Sequence, residues 1–315
     1  KYWSGSGSEY GYWSGSQSGF LNTSEGIVSI GYRAGYSNRL APYNLFIGYE
    51  SGGNITKVLT GDRNVFLGYR AGYSAEGIAT QNILIGSESG SGLTTGSANI
   101  FIGDQSGSNI GSGSRNVFIG PDSIGQNANN TNDNIFIGSG AGKSNQIGER
   151  NLLIGTEAGT NSKASDNICF GTESGKLMEN GQQNIYLGNN AGYNNQNGDS
   201  NICIGYLSGR STLGSNYSNA ILIGSEAGLE NESDNFLSIG TQAGKLNITG
   251  ENNINIGYQA GYSNVSGNNN VNIGAQAGLN SITSNNIFIG ALTGKNNTDG
   301  QNNILIGSSA GESNQ

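Results

Sequence analysis

A glycine that returns every 16 to 20 residues, most often every 17, constrains this chain more than any other feature. It stands at Gly31, Gly48, Gly68, Gly86, Gly103, Gly120, Gly138, Gly155, Gly171, Gly188, Gly205, Gly224, Gly240, Gly257, Gly274, Gly290 and Gly307, 17 copies in all. Asn134-Ile135-Phe136-Ile137-Gly138-Ser139-Gly140-Ala141-Gly142 shows the surrounding pattern. Four residues before the anchor stands Asn in 14 copies, with Ile27, Ala220 and Phe236 as exceptions. Three residues after it stands Ala, Ser or Thr, and four after it Gly, except at Ile124. Helix is excluded, because Gly interrupts every stretch within three turns and no 3.6-residue period appears.

A unit of about 17 residues cannot bury its own apolar side, but stacked on copies of itself it can. The triplets are rich in Ile, Val and Phe and are bounded by Gly and Asn, which reads as short strands. The Ala-Gly pair opens a second short strand or a tight corner, and connectors such as Asn195-Gln196-Asn197-Gly198-Asp199 are turn chemistry. The expected fold is all-β, a parallel β-solenoid (β-roll) of about 17 coils with about 17 residues each. At about 4.8 Å per coil the array would be a rod of roughly 80 Å. Residues 26–315 form this array. Residues 1–25 read differently: Tyr2-Trp3-Ser4-Gly5-Ser6 recurs as Tyr12-Trp13-Ser14-Gly15-Ser16 and holds both tryptophans. This segment is either an arm or set of degenerate coils that caps the array, or a strand that docks on a neighbouring subunit.

Composition narrows the function. The 55 Gly and 2 Pro do not follow a three-residue period, so collagen is excluded. A net charge of −8 with no basic stretch makes nucleic acid and anionic membranes poor partners. No apolar run reaches the roughly 18 residues of a spanning helix, and no signal peptide is read at Lys1. His is absent, which removes the usual general base and the commonest metal ligand. No catalytic, cofactor or metal site is therefore expected, and the chain reads as non-enzymatic.

Parallel stacking sets each column over itself. The aligned Asn44, Asn64, Asn82, Asn99, Asn116, Asn134, Asn151, Asn167, Asn184, Asn201, Asn253, Asn270, Asn286 and Asn303 would form an amide ladder. In the triplet, the outer two positions are nearly always Ile, Val or Leu and are expected to face a core. The middle position would face the opposite way. Most of that column is large and apolar: Phe46, Phe66, Leu84, Phe101, Phe118, Phe136, Leu153, Tyr186, Leu222, Phe288 and Leu305. A strand apolar on both faces is usually buried on both, so this stripe is expected to pack against other copies of the chain, with Phe136→Asp weakening assembly before unfolding. A wider monomeric coil that covers the stripe itself is the alternative. Ser238, Asn255 and Asn272 would interrupt it.

Glu50, Glu88, Glu157, Glu173 and Glu226 share a column two after the anchor. Arg33, Arg70, Leu207 and Leu292 occupy it too, so it reads as an exposed polar column and not a calcium site. Cys169 and Cys203 lie two coils apart, about 9.6 Å, too far for a disulfide. Tyr32, Tyr49, Tyr69, Tyr206 and Tyr258 follow the anchor, and Tyr36, Tyr73, Tyr193 and Tyr262 follow the second Gly. They read as stacked outer rings or as contacts to surface glycans. Asn-x-Ser/Thr sequons at Asn22, Asn54, Asn129, Asn216, Asn231, Asn247, Asn264 and Asn296 would carry glycan where they are exposed and the host glycosylates.

Asn253-Ile254-Asn255-Ile256-Gly257-Tyr258-Gln259-Ala260-Gly261-Tyr262-Ser263-Asn264 shows the pattern Asn-x-x-Ile-Gly-x-x-Ala-Gly-x-x-Asn most clearly. Residues 27–315 resemble repeats of tail-fibre-like and surface-adhesin proteins of bacteria and their viruses. They are also similar, with a longer period, to the head repeats of trimeric autotransporter adhesins. That resemblance implies a left-handed, trimeric β-roll at a cell or virion surface. The combined expectation is an extracellular structural fibre or filament subunit with an adhesive role. A viral tail-fibre shaft or a carbohydrate-binding adhesin head is the alternative. Expected partners are copies of the chain itself, as a trimer or a head-to-tail filament, and surface glycans; membrane insertion and nucleic acid are not expected.

Overall fold

The computed structural model describes residues 3–313 apart from 9, 10, 21, 23, 37, 55, 124–130 and 212–215. The expectations at Tyr2, Ile124 and the Asn129 sequon lie outside the described residues. The chain forms two compact units, Lys1–Glu157 and Ala158–Gln315. Both are all-β, built from coils of about 17 residues with one short strand each, and together they make about 17 turns.

In the first unit the strands are β1 Trp3–Ser8, β2 Gly11–Gly15, β3 Ile27–Ile30, β4 Leu45–Ile47, β5 Val65–Leu67, β6 Ile83–Ile85, β7 Ile100–Ile102, β8 Val117–Ile119, β9 Ile135–Ile137 and β10 Leu152–Ile154. From β2 onward they pair in parallel, each with the next, and every column lies over itself, as in Phe101↔Phe118↔Phe136. Strand β1 instead pairs antiparallel with β2. Tyr12, Trp13 and Ser14 on β2 lie beside Val28, Ser29 and Ile30, so the parallel ladder starts one coil before Gly31. The second unit repeats the arrangement with β11 Ile168–Phe170, β12 Ile185–Leu187, β13 Ile202–Ile204, β14 Ile221–Ile223, β15 Leu237–Ile239, β16 Ile254–Ile256, β17 Val271–Ile273, β18 Ile287–Ile289 and β19 Ile304–Ile306. These strands also pair in parallel and in register.

Of the two readings of the Ala-Gly pair, the tight corner forms and the second strand does not among the described residues; turns take its place. Backbone conformation explains why. The residue two after the anchor is left-handed even where it is not glycine, as at Glu50 (φ 52°), Gln105 (φ 53°) and Glu157 (φ 57°). So is the residue before the ladder Asn, as at Arg115 (φ 58°) and Asp133 (φ 60°). A left-handed residue costs a non-glycine about 1–2 kcal/mol and breaks any strand that contains it. The repeated coil-to-coil hydrogen bonds, such as Gly103 N–H to Ile85 O at 2.8 Å and Gln105 N–H to Ser87 O at 2.9 Å, hold these turns in place.

The faces of the triplet are the reverse of the sequence expectation. The middle column points into the coil: Phe46, Phe66, Leu84, Phe101, Phe118, Phe136 and Leu153 in the first unit, and Tyr186, Leu222 and Phe288 in the second, are fully buried. Leu305 is half-buried. These side chains fill the interior of their own coil and are not available to another chain. Phe136→Asp would therefore place a charge in the core and unfold the coil, not loosen an assembly. The outer positions, which were expected inside, face outward. The physical reason is the width of the coil. Across from the middle residue lies the second glycine, and a Cβ at Gly52 would stand 2.5 Å from the Phe46 ring. An interior that narrow admits one row of side chains per strand, and the pleat gives the other rows to the surface.

Candidate functional site

In each unit, on strands β3 to β10 and β11 to β19, the two positions flanking the buried residue make two parallel outward columns. All 34 of these residues are Ile, Val, Leu or, once, Phe170, and none is fully buried. Ile135 is 40% exposed and Phe170 55%. The buried middle column is less strict, since it accepts Ser29, Cys169, Cys203, Ser238, Asn255 and Asn272. In the first unit the eight strands from β3 to β10 give an apolar face of roughly 38 Å by 10 Å, on the order of 400 Å², the size of the largest apolar patch on an ordinary monomer, which is often functional.

The Asn column lies inside. In the first unit Nδ2 of Asn82, Asn99, Asn116, Asn134 and Asn151 donates to Oδ1 of the preceding Asn at 3.0–3.3 Å. The same Oδ1 also accepts the backbone N–H of that next Asn, as for Asn116 N–H to Asn99 at 3.0 Å. The second hydrogen of the amide reaches a carbonyl of the next coil, as from Asn99 to Gly113 at 2.8 Å. Asn64 joins Asn44 through its backbone N–H alone among the bonds of this type. In the second unit the ladder runs Asn167–Asn184–Asn201, is broken by Ala220 and Phe236, and resumes at Asn253, Asn270, Asn286 and Asn303.

A second inward column escaped the sequence reading. It stands seven after the anchor and holds Asn38, Ala75, Leu93, Ile110, Asn145, Ser162, Met178, Asn195, Asn231, Asn247, Asn264, Ser281 and Asn297, all buried. Its signal is the final Asn of the repeat pattern. Three sequons fall on it: Asn231, Asn247 and Asn264 are buried and cannot accept glycan, whereas Asn216 is exposed and Asn22, Asn54 and Asn296 are half-buried.

The column two after the anchor is polar but laddered. Oε atoms of Glu50, itself buried, lie 3.6 Å from Arg33 and 2.9 Å from Arg70. The hydrogen bond to Glu50 raises the pKa of Arg70. Further on, Gln276 donates to Gln259, Gln259 to Gln242 and Gln242 to Glu226, at 2.8–2.9 Å. Lys245 bonds Glu226 at 2.6 Å and holds its carboxyl below the ordinary range. No group of three or more His, Cys, Asp or Glu stands ready for a metal among the described residues. No helix there is long and apolar enough to cross a membrane.

The tyrosines divide into three sets. Tyr32, Tyr49 and Tyr69 stack ring on ring, with centroids 5.0 and 5.6 Å apart. Tyr36 stacks on Phe20, Tyr73 packs under Arg70, Tyr193 lies between Lys176 and Arg210, and Tyr262 against Lys245. Tyr206 and Tyr258 are exposed with no ring partner among the described residues. Cys169 and Cys203 are free and buried, separated by Tyr186 in the register. Burial pushes both thiols up to about 12.

The fold places the chain in the class of parallel β-solenoids. Compared with known protein families, curated proteins and solved structures, the chain matches none.

Proposed function

We propose that the chain is a non-enzymatic structural subunit of an extracellular fibre or filament that assembles with copies of itself through the outward aliphatic columns. One observation carries this reading: those columns hold 34 apolar side chains without exception, while the buried column tolerates Asn, Ser and Cys. Burial alone would select the opposite, apolar residues inside and mixed ones outside. A flat sheet face with one aliphatic pair per coil offers the same repeat to a second copy, so side chains of the two faces interdigitate at every coil. A trimer buries all such faces around one axis. An adhesive role at a cell or virion surface falls to the unstacked Tyr206 and Tyr258, whose rings suit contact with glycans.

Light scattering on the intact chain tests the assembly. Three or more copies are expected, and Ile100→Lys with Ile135→Lys should yield monomers that keep the β circular dichroism. A wild-type chain that stays monomeric at every concentration would overturn the proposal.

A further inference from the structure

The Tyr32–Tyr49–Tyr69 stack is the feature that assembly through the aliphatic face leaves unexplained. Its three phenols stand one after another in the column that follows the anchor glycine. The ring planes lie 25° and 20° apart, with centroids at 5.0 and 5.6 Å. Tyr49 and Tyr69 are nearly half exposed. None of the three hydroxyls makes a hydrogen bond among the described residues, in contrast to Tyr43, which donates to Glu25 at 2.8 Å, and the buried Tyr217, which donates to Gly209 O at 2.6 Å. The rings are also held in place. The Arg33 guanidinium lies 5.0 Å from the Tyr32 centroid and that of Arg70 lies 5.2 Å from Tyr69, and Glu50 binds both arginines. The stack covers both faces of Tyr49 and one face each of Tyr32 and Tyr69, so a sugar ring has little face to rest on. What it offers solvent is a row of phenolic edges.

We propose that this stack is a site of oxidative dityrosine formation, which joins consecutive coils covalently. The oxidant is hydrogen peroxide acting through a haem peroxidase. Each of two phenols gives up one electron and its hydroxyl proton. The two radicals form a carbon–carbon bond between ring carbons ortho to oxygen. The hydrogen on each of those carbons then moves to the neighbouring oxygen and restores the phenol. Two electrons and two protons reduce one hydrogen peroxide to two waters, and two aryl C–H bonds are exchanged for one C–C bond. The coil supplies proximity. A radical on Tyr49 has a partner ring on each side, held by the fold at a high effective concentration, whereas coupling between chains must wait for an encounter. This inference does not depend on how copies of the chain assemble.

Tyr206 and Tyr258 are built-in controls. They are 55% and 51% exposed, more than Tyr49 at 46%, yet they have no stacked neighbour. Exposure alone would make them couple first, and only between chains. The experiment treats an equal mixture of ordinary and isotope-labelled full-length chain with a haem peroxidase and hydrogen peroxide at low protein concentration. Dityrosine fluorescence and mass spectrometry of the linked peptides are then read. The expected product joins Tyr49 to Tyr32 or Tyr69 within one chain, all light or all heavy. Tyr49→Phe, which keeps the ring in the stack, should lower the intrachain yield at least tenfold. Tyr206→Phe with Tyr258→Phe should leave it unchanged. Mixed light–heavy products dominated by Tyr206 or Tyr258, an intrachain yield that survives Tyr49→Phe, or no dityrosine at all would each overturn the proposal.

Discussion

The two units wind the same backbone around different interiors. In the first, the buried column carries Phe66, Leu84, Phe101, Phe118, Phe136 and Leu153, with Phe101–Phe118 and Phe118–Phe136 rings stacked at 4.9 Å. In the second it carries Cys169, Tyr186, Cys203 and Leu222, then Ser238, Asn255 and Asn272, and the second inward column adds Asn231, Asn247, Asn264 and Asn297. Yet from β4 onward strand length, pairing and register are the same, and anchor glycines keep φ between +121° and +139° in both. The difference teaches that the coil does not need an apolar filling to close. Left-handed turns, the glycines and the backbone ladder fix the winding, and the filling sets only how firmly it is held. Asn272 donates to Asn255 Oδ1 at 2.8 Å, but its own Oδ1, next to Phe288 in the register, finds no partner, nor does Oδ1 of Asn247.

Five substitutions or conditions would sharpen or break that contrast. Phe118→Ala opens a cavity between two stacked rings and should cost about 3–5 kcal/mol, whereas Asn255→Ala should cost only about 1–3 kcal/mol. Guanidinium denaturation of the two variants side by side checks this, and equal losses would mean the interiors are equivalent. Alkaline pH should then open the second unit alone. A raised folded pKa means the native state keeps its proton longer, so stability is full below the unfolded thiol value near 9 and falls as pH rises toward about 12. Buried Tyr186 and Tyr217 are pushed up as well, by the same loss of water, and act with the same sign. The described buried columns of the first unit hold no thiol or phenol. Alkylation of Cys169 and Cys203, followed as pH is raised, should stay silent until that unit opens.

Cutting the amide ladder comes next in size. Asn116→Ala removes an oxygen that receives two hydrogens from Asn134 and leaves buried donors behind. The expected loss is about 1–3 kcal/mol, read from the same denaturation curves. The smallest effect is the double replacement Asn255→Leu with Asn272→Leu. Exchanging both members of a buried polar pair for apolar groups of similar shape should change stability by less than about 1 kcal/mol or raise it. A large loss there would show that the polar filling is required after all.

Much of this fold was legible in the sequence. The anchor column, the strand positions and the stacking of like on like all follow from the recurrence. The facing of the strand was not, although parity contained it. The ladder Asn and the middle residue are two apart, so they share a face. If amides such as Asn116 are to meet away from water, Phe118 must be inside, and Val117 and Ile119 outside. The apolar character of the flanking residues hid this, because in a lone coil such residues belong to the core. The coil at Gly15 was legible only as one of two alternatives, a degenerate coil capping the array, for a related reason. Ser18 and Gly19 stand three and four after it, as in every copy except the one with Ile124, but Tyr12, Trp13 and Ser14 replace the aliphatic triplet. Ring stacking of Tyr32 on Tyr49 needed the register itself.

The spacing between anchors varies from 16 to 20 residues while the columns hold, which makes this protein divisible in whole numbers. Removing residues 104–120 takes out one period and joins Gly103 to Pro121, leaving every remaining strand facing the neighbour type it already has. The sheet should shorten by one strand spacing, about 4.8 Å. Length, in such a chain, is an inherited tally: a lineage can make it longer or shorter by copying or dropping one coil, with no new solution to the folding problem.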